Sequence, residues 1–392
     1  MITAKKNVHQ QRRAVPIGAA ARVRRVAAVC FALAAALMVA CGGGEEPEPT
    51  PSNTPAVVVT KPPTPTPTPP PPPTPTPYDG PVNPLTGLPM DASKAAARPI
   101  AIMLNNRTIA QPQLGVSKAD ILVETLVEGG ITRMLALYQD VEAIGVIGSI
   151  RSARPYYVDV AQGFDAVYIH AGGSEDAYSV LMSRDITRLD GVNGKRQEIF
   201  YRDSTRRRTM GYEHSMVTTG ELISRYLPVY GFRLEHEKGY NVGLSFKEDY
   251  EISGLPADSI KIKYSSSKTT SFEYDAETGE YAAWQHGGAY KDGNDNALVS
   301  FANIVIIKTT ISEIKGDPYG CLRVDLTGGG DGYLAVGGKW IPIKWKKDAP
   351  DSPFVFTGED GKAVTLRAGH TYIGIVAGNT PVEIEENANN SD

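Results

Sequence analysis

The stretch that decides the fold is residues 144–174, which read I-G-V-I-G-S-I-R-S-A-R-P-Y-Y-V-D-V-A-Q-G-F-D-A-V-Y-I-H-A-G-G-S. Its pattern predicts a strand, a polar turn, a helix, a second strand and a second polar turn. The first turn carries Arg151 and Arg154, and the second begins with His170. If the two strands are parallel neighbours, both turns lie at the carboxyl edge of the sheet, where open α/β sheets bind ligands. The stretch therefore predicts a binding site without naming a reaction.

Local signals place the ends of the helices in this stretch. Pro155 fits the first turn of a helix that continues to Phe164, because that position needs no amide hydrogen. Residues 165–171 are the predicted second strand. Ser174 is a typical N-cap for the helix that follows, and the two acidic residues after it complement the positive end of that helix. These acids disfavour a bound phosphate at the Gly-Gly turn.

The first 40 residues have the pattern of a secretory signal peptide. They contain seven basic residues and no acidic one, and residues 26–40 form an apolar run that is too short for a comfortable membrane span. Small residues then precede Cys41, and three glycines follow it, an arrangement that resembles the lipobox of bacterial lipoproteins. The resemblance implies cleavage before Cys41 and diacylation of its thiol with palmitate or a similar chain. A plain secreted protein with an incidental cysteine is the alternative.

Charge and cysteine content narrow the possible partners. The chain has a net charge of −4, and removal of residues 1–40 would lower it to −11. An acidic chain argues against nonspecific binding to nucleic acid or to anionic lipid headgroups, so the predicted membrane contact is the lipid on Cys41. With Cys41 lipidated, Cys321 has no partner for a disulfide. The predicted location is outside the cytoplasm, anchored to the bacterial cell membrane.

Composition and hydrophobic patterning divide the rest of the chain. A disordered linker rich in Pro and Thr is predicted after the signal peptide, because Thr-Pro repeats favour an extended helix and do not build a core. An α/β or α+β domain follows, then a connector, then an all-β domain in which turn signals recur every 8 to 12 residues or so. The predicted bounds are 1–40 for the signal peptide, 41–81 for the linker, 82–235 for the α/β domain, 236–257 for the connector, 258–378 for the all-β domain and 379–392 for a disordered tail.

Two acidic residues flank a predicted hairpin in the first domain. Gly129 and Gly130 separate two β-rich runs, which predicts a two-residue turn with Glu128 opposite Ile131. In that register Glu124 and Glu128 share one face with Arg133, which lies diagonal to both. A helix through the same residues is the alternative, and it also brings the two acids together, four residues apart.

Residues 191–219 have a weak pattern and predict a long loop. Its basic residues, Arg202 and residues 206–208, are typical of a solvated loop face, and the alternative is that they extend a site for an acidic polymer. His214 follows Glu213, which suggests a base with its orienting acid, although adjacent side chains rarely face each other.

Several motifs in this order resemble the YerB-like lipoproteins, a bacterial family with paired N- and C-terminal domains of unknown function (DUF3048). They are N-P-L-T-G-L-P, R-P-I-A-I-M-L-N-N, A-D-I-L-V-E, V-E-G-G-I-T-R, G-x-I-R-S-A-R-P-Y and H-A-G-G-S, followed in the second half by E-Y-D-A-E-T-G-E-Y and G-K-W-I-P-I-K-W-K-K. The resemblance covers roughly residues 82–378. It implies the two-domain architecture and implies no activity.

The candidate site residues allow a functional and a structural interpretation. Two guanidinium groups in one turn, Arg151 and Arg154, suit a phosphate or carboxylate, and the alternative is that each pairs with a local acid. His170 either contacts a ligand or takes part in catalysis, and the alternative is a core residue whose side chain is hydrogen-bonded to the backbone. Glu124 and Glu128 form either an acid/base pair or a salt-bridge set with Arg133. Arg133 and His214 complete the predicted ligand-binding set with Arg151, Arg154 and His170.

The sequence contains no readable motif for a metal or a cofactor, so neither is predicted. Our leading hypothesis is a lipoprotein that binds an anionic ligand of the cell envelope through its first domain. The second hypothesis is a hydrolase or transferase acting on a phosphate-bearing or glycan substrate, with Glu124, Glu128 or His170 transferring protons. The third is a structural or interaction lipoprotein. The oligomeric state stays open.

Overall fold

The computed structural model describes residues 78–386, which belong to one compact unit. The predicted signal peptide, Cys41 and nearly all of the predicted linker lie outside the described residues. The described chain is rich in β-structure and has few helices. From residue 258 to residue 386 it contains strands and turns and no helix, as the sequence predicts.

Short helices and strands alternate in the first half of the described chain. The strands are β1 Ile100–Asn105, β2 Ile121–Leu126, β3 Thr132–Tyr138, β4 Val146–Gly148, β5 Val167–His170, β6 Arg188–Asp190, β7 Tyr201–Arg202 and β8 Met216–Thr219. The helices are α1 Ala92–Ala95, α2 Pro155–Gly163, α3 Glu175–Ser183, α4 Ser204–Thr209 and α5 Gly220–Tyr226, with 3-10 turns at Thr108–Ala110, Val116–Lys118, Glu128–Gly130, Tyr212–His214 and Pro228–Tyr230.

The second half consists of strands. They are β9 Phe246–Lys247, β10 Leu255–Pro256, β11 Ser259–Lys263, β12 Thr269–Asp275, β13 Glu280–Gln285, β14 Gly288–Ala289, β15 Ser300–Phe301, β16 Asn303–Thr309, β17 Ile311–Glu313, β18 Leu322–Val324, β19 Gly328–Val336, β20 Lys339–Lys347, β21 Val355–Thr357, β22 Leu366–Arg367, β23 Thr371–Ala377 and β24 Val382–Glu385.

One large mixed sheet extends through both halves of the chain. Its order is β10-β20-β19-β16-β23-β2-β3-β1-β5-β6, with β21 on β20. The link between the halves is β23, which lies parallel to β2 from Ile121 opposite Thr371 to Thr125 opposite Ile375. A second sheet of six strands has the order β14-β13-β12-β11-β24, with β15 on β13. The domain bounds predicted near residues 235 and 258 remain a proposal, and the two segments they separate share this sheet.

The large sheet has a hydrophobic core on each face, because its central strands β1 and β3 are mostly apolar and are buried at every position. Strand β1 sends Ile102 to one face and Met103 to the other. The Met103 face is covered by helices α2 and α3, through side chains such as Tyr157 and Leu181. The Ile102 face is covered by α5 and by the inner face of the six-stranded sheet, to which Phe272 belongs. This arrangement gives three layers, with the large sheet in the middle.

The local helix signals are confirmed, but the predicted strand pairing of the opening stretch is wrong. Pro155 begins α2, and the Ser174 hydroxyl caps α3 by accepting from the Ala177 amide at 3.2 Å. However, β4 is not a parallel neighbour of β5. It has only three residues and pairs antiparallel with β8 in a separate small sheet, whereas β5 lies parallel to β1 and β6.

The predicted register of the β2–β3 hairpin is wrong by one residue. The turn has three residues, Glu128–Gly130, because both glycines adopt left-handed φ values of 71° and 69° and the Val127 amide donates to the Ile131 carbonyl. As a result Arg133 lies opposite Thr125, and Glu124 lies opposite Met134. A shift of one residue moves side chains to the other face. Glu124 and Arg133 are therefore on opposite faces of the sheet.

Two further predictions need correction. Residues 191–219 are not one long loop, since they contain β7, α4 and β8. Part of the predicted disordered tail is ordered, because Val382–Glu385 forms β24 and pairs with β11, with Ile384 opposite Ile260. Residues 387–392 lie outside the described residues.

Candidate functional site

The turn that carries Arg151 lies between the ends of β1 and β5. The Arg151 amide donates to the Met103 carbonyl in β1 at 2.9 Å, and the Arg151 carbonyl accepts from the Ala171 amide after β5 at 3.0 Å. Two residues on, the Ala153 amide donates to the Gly172 carbonyl at 2.9 Å. The two polar turns of the opening stretch therefore meet at one sheet edge, although the predicted parallel pairing is not the reason.

A surface groove of about 360 Å³ opens beside these two turns. Its lining residues come from both turns and from the segment that contains β7, α4 and β8, and they are Ile150, Arg151, Ser152, Ala171, Gly172, Gly173, Tyr178, Val192, Asn193, Arg202, Tyr212, Glu213 and Met216. We call it the Arg151 groove. Its charged lining residues are Arg151, Arg202 and Glu213, so the groove has a net charge of +1 on a chain whose net charge is −4.

Arg151 is held in the groove by one acidic residue. Its guanidinium donates to the Glu213 carbonyl at 2.8 Å and to the Glu213 carboxylate at 3.2 Å. Glu213 is 57% exposed, and Arg107 approaches its other oxygen at 3.8 Å. Burial tends to raise the pKa of Glu213, but Arg151 and His214 outweigh it and hold that pKa below its ordinary value. Arg151 is 16% exposed, but water reaches Glu213 and weakens the ion pair, so an anionic ligand could replace Glu213 at low cost.

Arg202 also lines the groove and has an aromatic partner. Its guanidinium carbon lies 3.8 Å from the centre of the Tyr212 ring, and its Nη1 donates to the Tyr212 carbonyl at 2.6 Å. Such cation–π contacts orient a guanidinium without neutralising its charge. Arg202 therefore stays available to an anion beside Arg151.

Arg154 belongs to an ion-pair cluster beneath the groove. It donates from Nε to Glu128 at 3.0 Å and also contacts the other carboxylate oxygen, while Arg133 donates to the same residue at 2.9 Å. Both arginine side chains are at least nine-tenths buried. Burial would raise the pKa of Glu128, but the two arginines hold it below its ordinary value. The structure therefore brings Arg154, Arg133 and Glu128 together but does not place Arg154 in the groove.

Known proteins match both halves of this fold. Residues 85–233 match the family model described as "Protein of unknown function (DUF3048) N-terminal domain", and residues 260–373 match the model for the C-terminal domain. The chain is 29% identical over 296 residues to "Putative lipoprotein YerB" of Bacillus subtilis (strain 168), covering 75% of this chain and 85% of that protein. The crystal structure of YerB protein from Bacillus subtilis superposes with a TM-score of 0.67 at 28% identity, over 77% of this chain and 99% of that one.

The chain belongs to the YerB-like family. The resemblance found in the sequence motifs is thereby confirmed. The family model describes both domains as of unknown function, so the membership supports the architecture and assigns no activity to this YerB-like chain.

His170 lies behind the Arg151 groove and not in its lining. Its side chain has no exposed area, and Nδ1 bonds to the Gly172 carbonyl at 2.8 Å. Burial lowers the pKa of His170, which Asp190 opposes only in part, so the ring is neutral near pH 7. Nε2 is buried and has no hydrogen-bond partner among the described residues. The ring packs on Tyr168 at 5.2 Å between centres, which fits a role in shaping the second turn.

His214 and Arg206 stabilise the segment that contains β7, α4 and β8. His214 is buried and pairs with the Asn105 amide through Nδ1 at 2.7 Å. Arg206 was expected on a solvated loop face, but it is buried, and it donates to the carbonyls of Ala110, Pro112 and His214. The five N–H donors of a guanidinium form a broad fork that can reach three separate carbonyls, so Arg206 holds α4 against residues 110–112.

Glu124 lies on the far face of the large sheet, away from Glu128. Its side chain has no exposed area. It accepts hydrogen bonds from Asn106, Thr132, Thr270 and Tyr372, at distances between 2.5 and 2.9 Å. The Lys268 ammonium lies 3.2 Å from it and is 3% exposed. The expected pairing of the two acids is therefore wrong. Glu124 instead joins the two halves of the chain through a buried polar network.

Sequence reasoning missed Arg107, Tyr212 and Lys268. Arg107 approaches Glu213 of the groove across 106 residues of chain, and Tyr212 packs on Arg202 across 10 residues. Neither belongs to a motif. Their proximity depends on the path of the segment between β6 and β8, which has no strong periodicity. Lys268 lies in a Ser-rich turn that has the composition of a solvent-exposed loop.

Two kinds of feature are absent from residues 78–386. No three His, Cys, Asp or Glu side chains in that range converge as metal ligands. No helix in the same range is long and apolar enough to cross a membrane.

Proposed function

We propose that this chain is a lipid-anchored extracytoplasmic protein that binds an anionic ligand of the cell envelope in the Arg151 groove. The observation that carries the proposal is the surplus of guanidinium groups there. Arg151 and Arg202 line the groove, and the acid between them, Glu213, is mostly exposed. Arginine suits a phosphate or a carboxylate because its planar fork matches two oxygen atoms.

The ion-pair cluster beneath the groove strengthens its positive field. Arg133 and Arg154 share Glu128, which leaves one uncompensated positive charge in a largely buried position. A buried charge is screened less by salt than an exposed one. The predicted ligand-binding set therefore divides into a contact residue, Arg151, and supporting residues, Arg154, Arg133, His170 and His214.

The lipid anchor is supported by the sequence and by the relative. A basic region, an apolar run and small residues precede Cys41, and the relative carries the name "Putative lipoprotein YerB". The Pro- and Thr-rich linker that follows would hold the folded part away from the membrane, because such sequences are extended. On this proposal the groove faces the ligands of the envelope and not the cytoplasm.

The test is a calorimetric titration of the full chain in detergent with poly(glycerol phosphate), a phosphodiester polymer. Arg151→Ala should weaken binding by roughly 10- to 100-fold, because a charge-assisted hydrogen bond contributes about 1.5–3 kcal/mol. Its melting temperature should change little, since Glu213, the acid it pairs with, is mostly exposed. Arg184→Ala is the matched control, because it removes an arginine paired with Asp159 outside the groove.

Binding by Arg151→Ala equal to that of the wild type would refute the proposal, and so would a loss of folding in that variant. Binding should also weaken as the salt concentration rises from 50 to 300 mM, as expected for contacts to an anionic polymer. Analysis of the same mixtures for released glycerol phosphate separates a binding protein from a hydrolase. A structural lipoprotein would bind no polymer in the groove.

A further inference from the structure

A tryptophan faces outward from the middle of the six-stranded sheet. In β13 the alternate residues Tyr281 and Ala283 point into the core and are at most 1% exposed. Trp284, one position further, points to the outer face and is 36% exposed. Its cross-strand neighbours are Ser271 in β12 and Ala289 in β14, both too small to cover an indole ring.

The other two tryptophans of the chain have structural partners. Trp345 is 2% exposed, and its indole N–H donates to the Lys308 carbonyl at 2.9 Å. Trp340 packs edge-on against the Tyr333 ring at 5.4 Å. By contrast, Trp284 is among the exposed large hydrophobic residues of the described chain. An indole combines a large apolar face with a polar N–H, so an exposed one offers a ligand both stacking area and a hydrogen-bond donor.

Hydroxyl groups surround the exposed ring. Trp284 lies in a depression of about 490 Å³. Its polar lining consists chiefly of short hydroxyl side chains and one carboxylate, at Ser266, Ser267, Thr269, Ser271 and Glu273. Thr269, Ser271 and Glu273 occupy successive outward positions of β12, so they form a row on the strand beside Trp284. Hydroxyls both donate and accept, and they match the hydroxyls of a sugar.

The turn next to Trp284 leaves the depression open. His286 and Gly287 adopt left-handed φ values of 54° and 83°, which form a tight turn between β13 and β14. A Cβ at Gly287 or Gly288 would meet no atom within 4 Å. Because these two positions carry no side chain, that side of the depression stays open. An adjoining depression of about 350 Å³ shares Ser267 and His286 and extends the surface toward Ile109, with Arg107 and Lys268 also in its lining. The surface has room for more than one sugar unit.

We propose that this outer face, which we call the Trp284 face, binds a neutral oligosaccharide segment of an envelope polysaccharide. A sugar ring would stack on the indole, and its hydroxyls would bond to the row on β12. The charge of the depression supports a neutral ligand, since Glu273 is the only Asp, Glu, Lys or Arg in its lining. The Arg151 groove has the opposite character, with two arginines. The two surfaces therefore differ in ligand chemistry, although Arg107 lines the adjoining depression and also approaches Glu213 of the groove at 3.8 Å.

The experiment is a calorimetric titration of the full chain with N-acetylglucosamine hexasaccharide and with cellohexaose. The wild type should bind at least one of them, and the tryptophan emission should shift to shorter wavelength as Trp284 is covered. Trp284→Ala should weaken binding at least about tenfold, because the stacking surface is lost. Tyr319→Ala is the matched control, since Tyr319 is 77% exposed and does not line this depression.

Each result supports or overturns the inference. Binding by Arg151→Ala equal to that of the wild type would show that the sugar site is separate from the anion site. Absence of binding to both hexasaccharides, or unchanged binding in Trp284→Ala, would overturn the inference. Sedimentation of the wild type as a dimer and of Trp284→Ala as a monomer would overturn it as well, because the face would then be an interface between copies.

Discussion

Replacement of Lys268 with methionine tests whether the Glu124 network holds the two halves of the chain together. Glu124 belongs to the first half, and Lys268, Thr270 and Tyr372 belong to the second. The variant Lys268→Met keeps the length of the side chain and removes its charge. It leaves the Glu124 carboxylate fully buried without a counter-charge.

The magnitude follows from the contacts that remain. Removing one partner of a buried ion pair costs about 3–5 kcal/mol of unfolding free energy. Four hydrogen-bond donors still reach Glu124, so we expect a loss near the lower limit, about 3 kcal/mol. Glu124→Gln should cost a similar amount, because it leaves the ammonium buried. Burial lowers the pKa of Lys268, and the charge of Glu124 opposes that change. The Lys268 ammonium is therefore stabilised by Glu124.

The assay is guanidinium denaturation of the two single variants and of the double variant. The double variant should lose at least about 2 kcal/mol less than the two single losses together, because it removes both members of the pair. Lys261→Met is the matched control, since its ion pair with Glu383 is about half exposed and should matter little. The reasoning is refuted if Lys268→Met costs no more than Lys261→Met, or if the two single losses simply add.

Two more predictions concern the ion-pair cluster and the anchor. The wild type should be more stable than Glu128→Gln at pH 7. The pKa of Glu128 is lowered in the folded state, so its contribution to stability is lost when it is protonated. Denaturation curves should therefore show the difference between the two proteins closing as the pH falls below 4.5. A difference that persists at pH 2 would contradict this. Cys41→Ser should release mature protein into the medium, as judged by immunoblotting, and variant protein that stays in the membrane fraction would show that the lipid is not the anchor.

Local features could be predicted from the sequence with good reason. Pro155 and Ser174 start helices because proline and serine satisfy the amide groups of a first turn wherever they occur. The strands after residue 258 follow from alternation and turn residues, which act over a few positions. The meeting of the two polar turns was also predicted, although through an incorrect strand pairing.

The remaining features depend on long-range contacts or on turn geometry. Strand β23 pairs with β2 across about 250 residues, and no local pattern encodes that choice. The conformations of Gly129 and Gly130 shift the hairpin register by one residue, which separates Glu124 from Arg133. The burial of Arg206 depends on three carbonyls from distant turns. Composition alone favours a solvated position for such a residue.

The measurement that tests the central claim most directly is a crystal structure of the chain with a glycerol phosphate trimer. The account predicts a phosphate within hydrogen-bond distance of the Arg151 guanidinium, with Arg202 on its other side and the Glu213 side chain displaced toward solvent. A phosphate bound elsewhere on the protein, with the ion pair of Arg151 and Glu213 intact, would contradict it.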